Sequence, residues 1–132
     1  IAQCSPPDMK LPIALGLTWP QRLADAAKAC DWTTAASWTF EPLDNEAFPA
    51  VELARRAGKA GGTVPAVYNA SNEVCVDAFC AGDLDFSGIV EVVAAVVAER
   101  LATPESAEMS VESVLAADSW ARIAAAQRIK ER

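Results

Sequence analysis

The chain has 132 residues, 52% of them hydrophobic, and a net charge of −7 from 11 basic and 18 acidic residues. That length suits one domain with a core of its own, while the acidic balance excludes the clustered Lys and Arg that neutralise nucleic-acid phosphates or anionic headgroups. The most apolar run, residues 89–98, is interrupted by Glu91 and is half the roughly 20 residues that cross a bilayer.

Taken in chain order, the first feature is a proline-shaped start. Pro6, Pro7, Pro12 and Pro20 fix φ and push each preceding residue toward extended backbone, so Ser5–Pro20 is expected to be stiff, with a helical turn over 13–18 stopped by Pro20. Such rigidity is unusual at a chain end. With Ile1 as the first residue, it leads us to expect the C-terminal part of a larger protein. Residues 23–45 follow as a connecting region. Within it Ser37-Trp38-Thr39-Phe40 alternates polar and aromatic residues, the pattern of a short strand, which needs a sheet to join.

From about residue 46 the periodicity becomes helical. A first helix is predicted over 48–56, with Phe48, Val51 and Leu53 apolar and Gly58 ending it. The second covers 65–81, with Val64, Val67, Tyr68, Cys75, Ala78 and Phe79 at helical spacing and Gly82 as terminator. The third covers 86–101 behind Asp85 or Ser87 as cap. Its stripe is Ile89, Val92, Val93, Val96 and Val97, and Thr103-Pro104 closes it. A fourth begins near Ser110 and carries Val111, Val114, Leu115, Ala121 and Ile123. The fold class is therefore mainly α: a bundle of about four helices over 46–132, preceded by a linker with a short strand.

A self-contained active site is hard to find. There is no histidine, which removes the commonest general base and any His-assisted nucleophile. No glycine-rich phosphate loop is present; Gly61-Gly62 is a turn pair. Asp83 and Asp85 flank a helix start and read as cap and solvated charge. Cys4, Cys30, Cys75 and Cys80 lack metal-ligand spacing, and Cys75 and Cys80 lie about 140° apart around a helix. Free thiols in a reducing compartment are expected. The densest polar group is Asn69, Asn72 and Glu73, at i, i+3 and i+4 on one helix face. Two asparagines inside a helix call for a reason. Ties to neighbouring backbone supply one, and a catalytic carboxylate at Glu73 is the other reading.

Two ordered segments resemble a known family. Ser5-Pro6-Pro7-Asp8-Met9-Lys10-Leu11-Pro12-Ile13-Ala14 with Trp19-Pro20, and Tyr68-Asn69-Ala70-Ser71-Asn72-Glu73 with Ala78-Phe79, are similar to the C-terminal third of the 1-deoxy-D-xylulose 5-phosphate reductoisomerases. Phe40-Glu41-Pro42-Leu43-Asp44 and Phe48-Pro49-Ala50 match in order and spacing. The resemblance fades over the last ~25 residues. It implies a parent enzyme of isoprenoid biosynthesis by the non-mevalonate (methylerythritol phosphate) route, both isomerase and oxidoreductase. With NADPH and a divalent cation, Mg or Mn, such an enzyme converts 1-deoxyxylulose 5-phosphate to 2-C-methylerythritol 4-phosphate.

On this resemblance, residues 1–22 end an α/β catalytic domain, 23–45 are the linker and 46–132 the C-terminal bundle. The cofactor loop, metal carboxylates and phosphate-binding residues lie upstream. Pro7 and Met9 are the positions expected to pack near the nicotinamide and the sugar phosphate substrate; neither NADPH nor metal is expected to bind this stretch alone. The resemblance also implies a homodimer. Bacterial cytoplasm is the expected location, with a plastid as the alternative. Pro6 and Cys4 depart from the family pattern: Pro6 should stiffen the loop, and Cys4 is assigned no role. The other reading is a stand-alone acidic helical interaction module without catalysis.

Overall fold

Where a helix starts and stops here is decided by a few side chains that satisfy terminal backbone groups. The computed structural model describes residue 6 and residues 8–103 and 109–132. Among these it contains helices α1 (Lys10–Thr18), α2 (Ala50–Ala60), α3 (Val64–Ala81), α4 (Phe86–Ala102) and α5 (Val111–Lys130), and no strand. The chain forms two compact units, residues 1–41 and 42–132. No helix among the described residues is long and apolar enough to cross a membrane.

In the first unit, α1 begins three residues earlier than its sequence suggests. The Asp8 carboxylate accepts a hydrogen bond from the Lys10 amide at 2.9 Å, an Asx turn that sets up the first helical residue. Pro12 then falls in the first turn, where amides have no intrahelical partner and a missing N–H costs nothing. At the other end the Thr18 hydroxyl lies 2.9 Å from the Ala14 carbonyl and 2.8 Å from that of Gln21. The Trp19–Pro20 peptide is cis. Farther on, Asp31 accepts from the Thr33 amide and hydroxyl. The strand expected at 37–40 does not form. It has no sheet to join among the described residues, and Trp38 and Phe40 remain exposed.

The second unit is the helical bundle. An Asp44 turn, its carboxylate accepting from the Glu46 and Ala47 amides, delivers the chain to α2. That helix buries Leu53 and Ala57, one turn apart, whereas Phe48 and Val51 are exposed. It also runs through Gly58 to end at Gly61, whose φ is +69°. The positive φ marks the true terminator, because only glycine adopts it without strain. Helix α3 ends as expected at Gly82, φ +86°. Bonds from the Gly82 amide to the Phe79 carbonyl and from the Asp83 amide to the Ala78 carbonyl make a Schellman motif.

Helix α4 is capped by Asp85, which accepts from the Gly88 amide at 2.9 Å. The approach is so close that a Cβ on Gly88 would collide with that carboxylate and with Leu84. A larger residue there would require both of those side chains to shift. Ser110 caps α5 in a reciprocal box with Ser113, each side-chain oxygen accepting from the other's amide.

The core joins Val64, Val67, Ala70 and Cys75 of α3 to Val92, Val93, Val96 and Val97 of α4. The valine stripe lies where periodicity places it. Helix α5 does not follow its bulky residues. Its buried face is Ala117, Ala121, Ala124 and Ala125, while Val111, Leu115 and Ile123 are more than half exposed. Alanines at i, i+4 and i+7 let the α5 backbone lie close against α3, so the seam is built from smallness. Likewise Phe79 of α3 points out and meets Phe86 edge-on, ring centroids 6.1 Å apart. Cys30, Cys75 and Cys80 are free thiols. Burial pushes the Cys75 thiol up to about 11, so it packs as an apolar group. Cys4 lies outside the described residues.

Ion pairs fix the helix order. Arg122 of α5 donates to Glu73 of α3 at 2.6 Å and to Asp118 at 2.8 Å; Arg128 reaches Glu99, and Arg132 reaches Glu91 at 2.6 Å. As α5 advances its α4 partners recede, so those two helices are antiparallel. Arg100 of α4 donates to Thr63 before α3 at 2.9 Å.

Three outcomes follow. Ala121→Leu overfills the seam and should cost about 1–3 kcal/mol in denaturant melts, while Ile123→Ala should stay within about 0.5 kcal/mol. Hydrogen bonds from Arg122 and then Asn69 hold the Glu73 carboxyl below the usual range. A carboxyl depressed in the folded state stabilises above its unfolded pKa and loses that contribution as pH falls through the folded value. Glu73→Gln should therefore lower the melting temperature near neutral pH, and its difference from wild type should shrink below about pH 4.

Candidate functional site

The residues singled out for ligand contact lie before and at the start of α1. Pro7 falls outside the described residues. Met9 sits between the Asp8 turn and the first helical residue, with φ −67° and ψ −15°. Its carbonyl accepts from the Ile13 amide at 3.2 Å, so its backbone is already committed to the helix. Its side chain is 72% exposed. The segment thus presents an unbranched thioether from a backbone that local hydrogen bonds hold on both sides. A thioether carries no proton to exchange at neutral pH. It offers polarizable apolar surface that suits the face of a flat ring. Asp8 is occupied in the turn, accepting from the Lys10 amide.

The other candidate, Glu73, is placed very differently. Its Oε1 accepts from Asn69 Nδ2 at 2.9 Å and its Oε2 from Arg122 at 2.6 Å. Both oxygens are engaged and its pKa is lowered, the opposite of a general base poised near neutrality. Arg122 is in turn held by Asp118 on its own helix. The constellation is a tie between α3 and α5. The sequence brings Asn69 and Glu73 to one face; it was Arg122 that the residue-by-residue reading missed. The i, i+4 spacing of Asp118 and Arg122 was the available signal. Asp85 is a helix cap, as its position indicates. Among the described residues, no group of three His, Cys, Asp or Glu side chains is arranged to hold a metal.

Comparison with known proteins agrees with the motifs that gave the resemblance. The family described as the DXP reductoisomerase C-terminal domain matches residues 4–124. The 1-deoxy-D-xylulose 5-phosphate reductoisomerase of Kitasatospora griseola is 66% identical over 123 residues, covering 92% of this chain and 32% of its own length. That of Cutibacterium acnes is 58% identical over 137 residues, covering 96% and 34%. The solved reductoisomerase of Zymomonas mobilis in complex with NADPH is similar over 98% of this chain and 33% of its own, with 38% identity and a TM-score of 0.70. A DOX-P reductoisomerase structure in complex with NADPH, fosmidomycin and magnesium is 30% identical over 94% of this chain and 32% of its own, TM-score 0.67. The chain spans about a third of the length of the curated relatives it matches. It belongs to the DXP reductoisomerase C-terminal domain family.

Proposed function

We propose that this chain is the C-terminal part of an NADPH-dependent reductoisomerase that converts 1-deoxy-D-xylulose 5-phosphate to 2-C-methyl-D-erythritol 4-phosphate in isoprenoid biosynthesis. The observation that carries the proposal is identity of 58–66% over nearly the whole chain to enzymes of that name about three times its length. A separate interaction module draws no support from these relatives. In this reading residues 1–22 complete the catalytic domain, 23–45 are the linker and 46–132 the bundle. The parent works as a homodimer in bacterial cytoplasm.

The reduction needs a hydride, which NADPH supplies when bound; the divalent cation belongs to carboxylates upstream of this chain. What these residues add is shape. Met9 presents an apolar face beside the nicotinamide and the sugar phosphate, and the same contact is proposed for Pro7, which lies outside the described residues. Such a face excludes water where hydride transfer takes place and orients the flat ring without competing for protons. The hydrogen-bonded Asp8 turn and the first turn of α1 keep that face in register.

The test is kinetic. Met9→Ala in the parent enzyme should lower kcat/KM about tenfold, equivalent to roughly 1.4 kcal/mol of lost packing, while Met9→Leu, of similar volume, should retain most of the activity. The 132-residue chain alone should oxidise no NADPH with substrate and magnesium. Unchanged kinetics for Met9→Ala, or turnover by the chain alone, would contradict the proposal.

A further inference from the structure

In a chain that is 22% charged, Asp8 and Lys10 are the only charged side chains of residues 1–21. They stand on either side of Met9, and the structure treats them differently. Asp8 Oδ1 accepts from the Lys10 amide at 2.9 Å, and the Asp8 carbonyl accepts from the Leu11 amide at 3.3 Å. Both bonds span Met9, so carboxylate and thioether belong to one small turn. Asp8 is half-covered, whereas Met9 and Lys10 are exposed. Among the described residues the second Asp8 oxygen meets no donor, and the Lys10 ammonium forms no ion pair. The turn therefore fixes one negative charge next to the residue proposed to touch the nicotinamide. The positive charge rides on a flexible four-carbon stem.

We infer that the Asp8 carboxylate, held by the Lys10 amide, is a fixed negative charge that favours the oxidised nicotinamide over the reduced one. The inference rests on the functional reading above, which puts Met9 against the ring. Hydride departure takes that ring from neutral to cationic. The C4–H bond breaks, its electron pair forms the new C–H bond at the substrate's carbonyl carbon, and the carbonyl oxygen takes a proton from water. An anion that is already held in place attracts the ring more strongly as its positive charge grows, and nothing has to reorganise at that moment. Asp8 acts here without touching the ring, because Coulomb attraction falls only with the inverse of distance and is screened less on the covered side of a turn. The Lys10 ammonium opposes it weakly, being mobile and open to solvent.

The experiment measures the dissociation constants of NADPH and NADP⁺ for the parent enzyme and two variants. Asp8→Asn keeps an oxygen that accepts from the Lys10 amide and removes the charge; Asp8→Glu keeps the charge on a longer arm that closes the turn less well. Asp8→Asn should weaken NADP⁺ about threefold relative to NADPH, while Asp8→Glu should leave that ratio near wild type. Wild-type behaviour of Asp8→Asn would make the carboxylate a turn-former only and would overturn the inference. So would an equal loss of affinity for the two forms. The Met9→Ala kinetics judge the functional reading separately: if that variant is impaired and the Asp8→Asn ratio does not move, only the role of the charge is wrong.

Discussion

The bundle depends on the close approach of α5 to α3. Ala117, Ala121, Ala124 and Ala125 present almost no side chain to the seam, and that lets the backbone lie close to α3. Val67, Ala70 and Ser71 of α3 are fully buried, and the Ser71 hydroxyl turns back to the Val67 carbonyl at 2.7 Å, so this buried polar atom is satisfied within its own helix. The valines of α4 pack chiefly on α3. Two arginines along α5, and Arg132 just beyond its end, then reach acidic partners on α3 and α4. These exposed pairs add little energy each, and serve mainly to fix helix register and direction.

What the sequence made legible follows from how strong each local signal is. The α4 valine stripe and the Ser110 cap are strong signals, and the α4 cap is narrowed to Asp85 or Ser87, of which the structure uses Asp85. Two signals misled. Gly58 looked like a helix end, but a glycine ends a helix only when it takes a positive φ, and it was Gly61 that did. On α5 the apolar set read from the sequence is Val111, Val114, Leu115, Ala121 and Ile123; Ala121 is buried, but with Ala117, Ala124 and Ala125, while Val111, Leu115 and Ile123 are exposed. Hydrophobicity ranks residues by bulk; close helix packing selects for its absence.

The candidate site was legible in a different manner. Composition and spacing showed only that a catalytic centre is hard to assemble without histidine or grouped carboxylates. The assignment of Met9 and Pro7 came from resemblance to a family, and the physics of a rigid loop with a thioether is compatible with it. Conversely, Glu73 carried a catalytic possibility until its two oxygens were seen to be shared between Asn69 and Arg122. Pairing over 49 residues leaves no mark in local sequence: the i, i+4 spacing of Asp118 and Arg122 marks a pair within α5 but does not point to Glu73.

The central claim is that this chain supplies a wall to a site whose reactive groups lie elsewhere in a longer enzyme. Methyl-labelled methionine NMR tests it directly, with Met9 assigned by its Met9→Leu variant. In the parent enzyme the Met9 methyl signal should shift on addition of NADPH, and in the 132-residue chain neither Met9 nor Met109 should respond. A Met9 signal that stays fixed in the parent while NADPH binds, or that moves in the chain alone, would contradict the account.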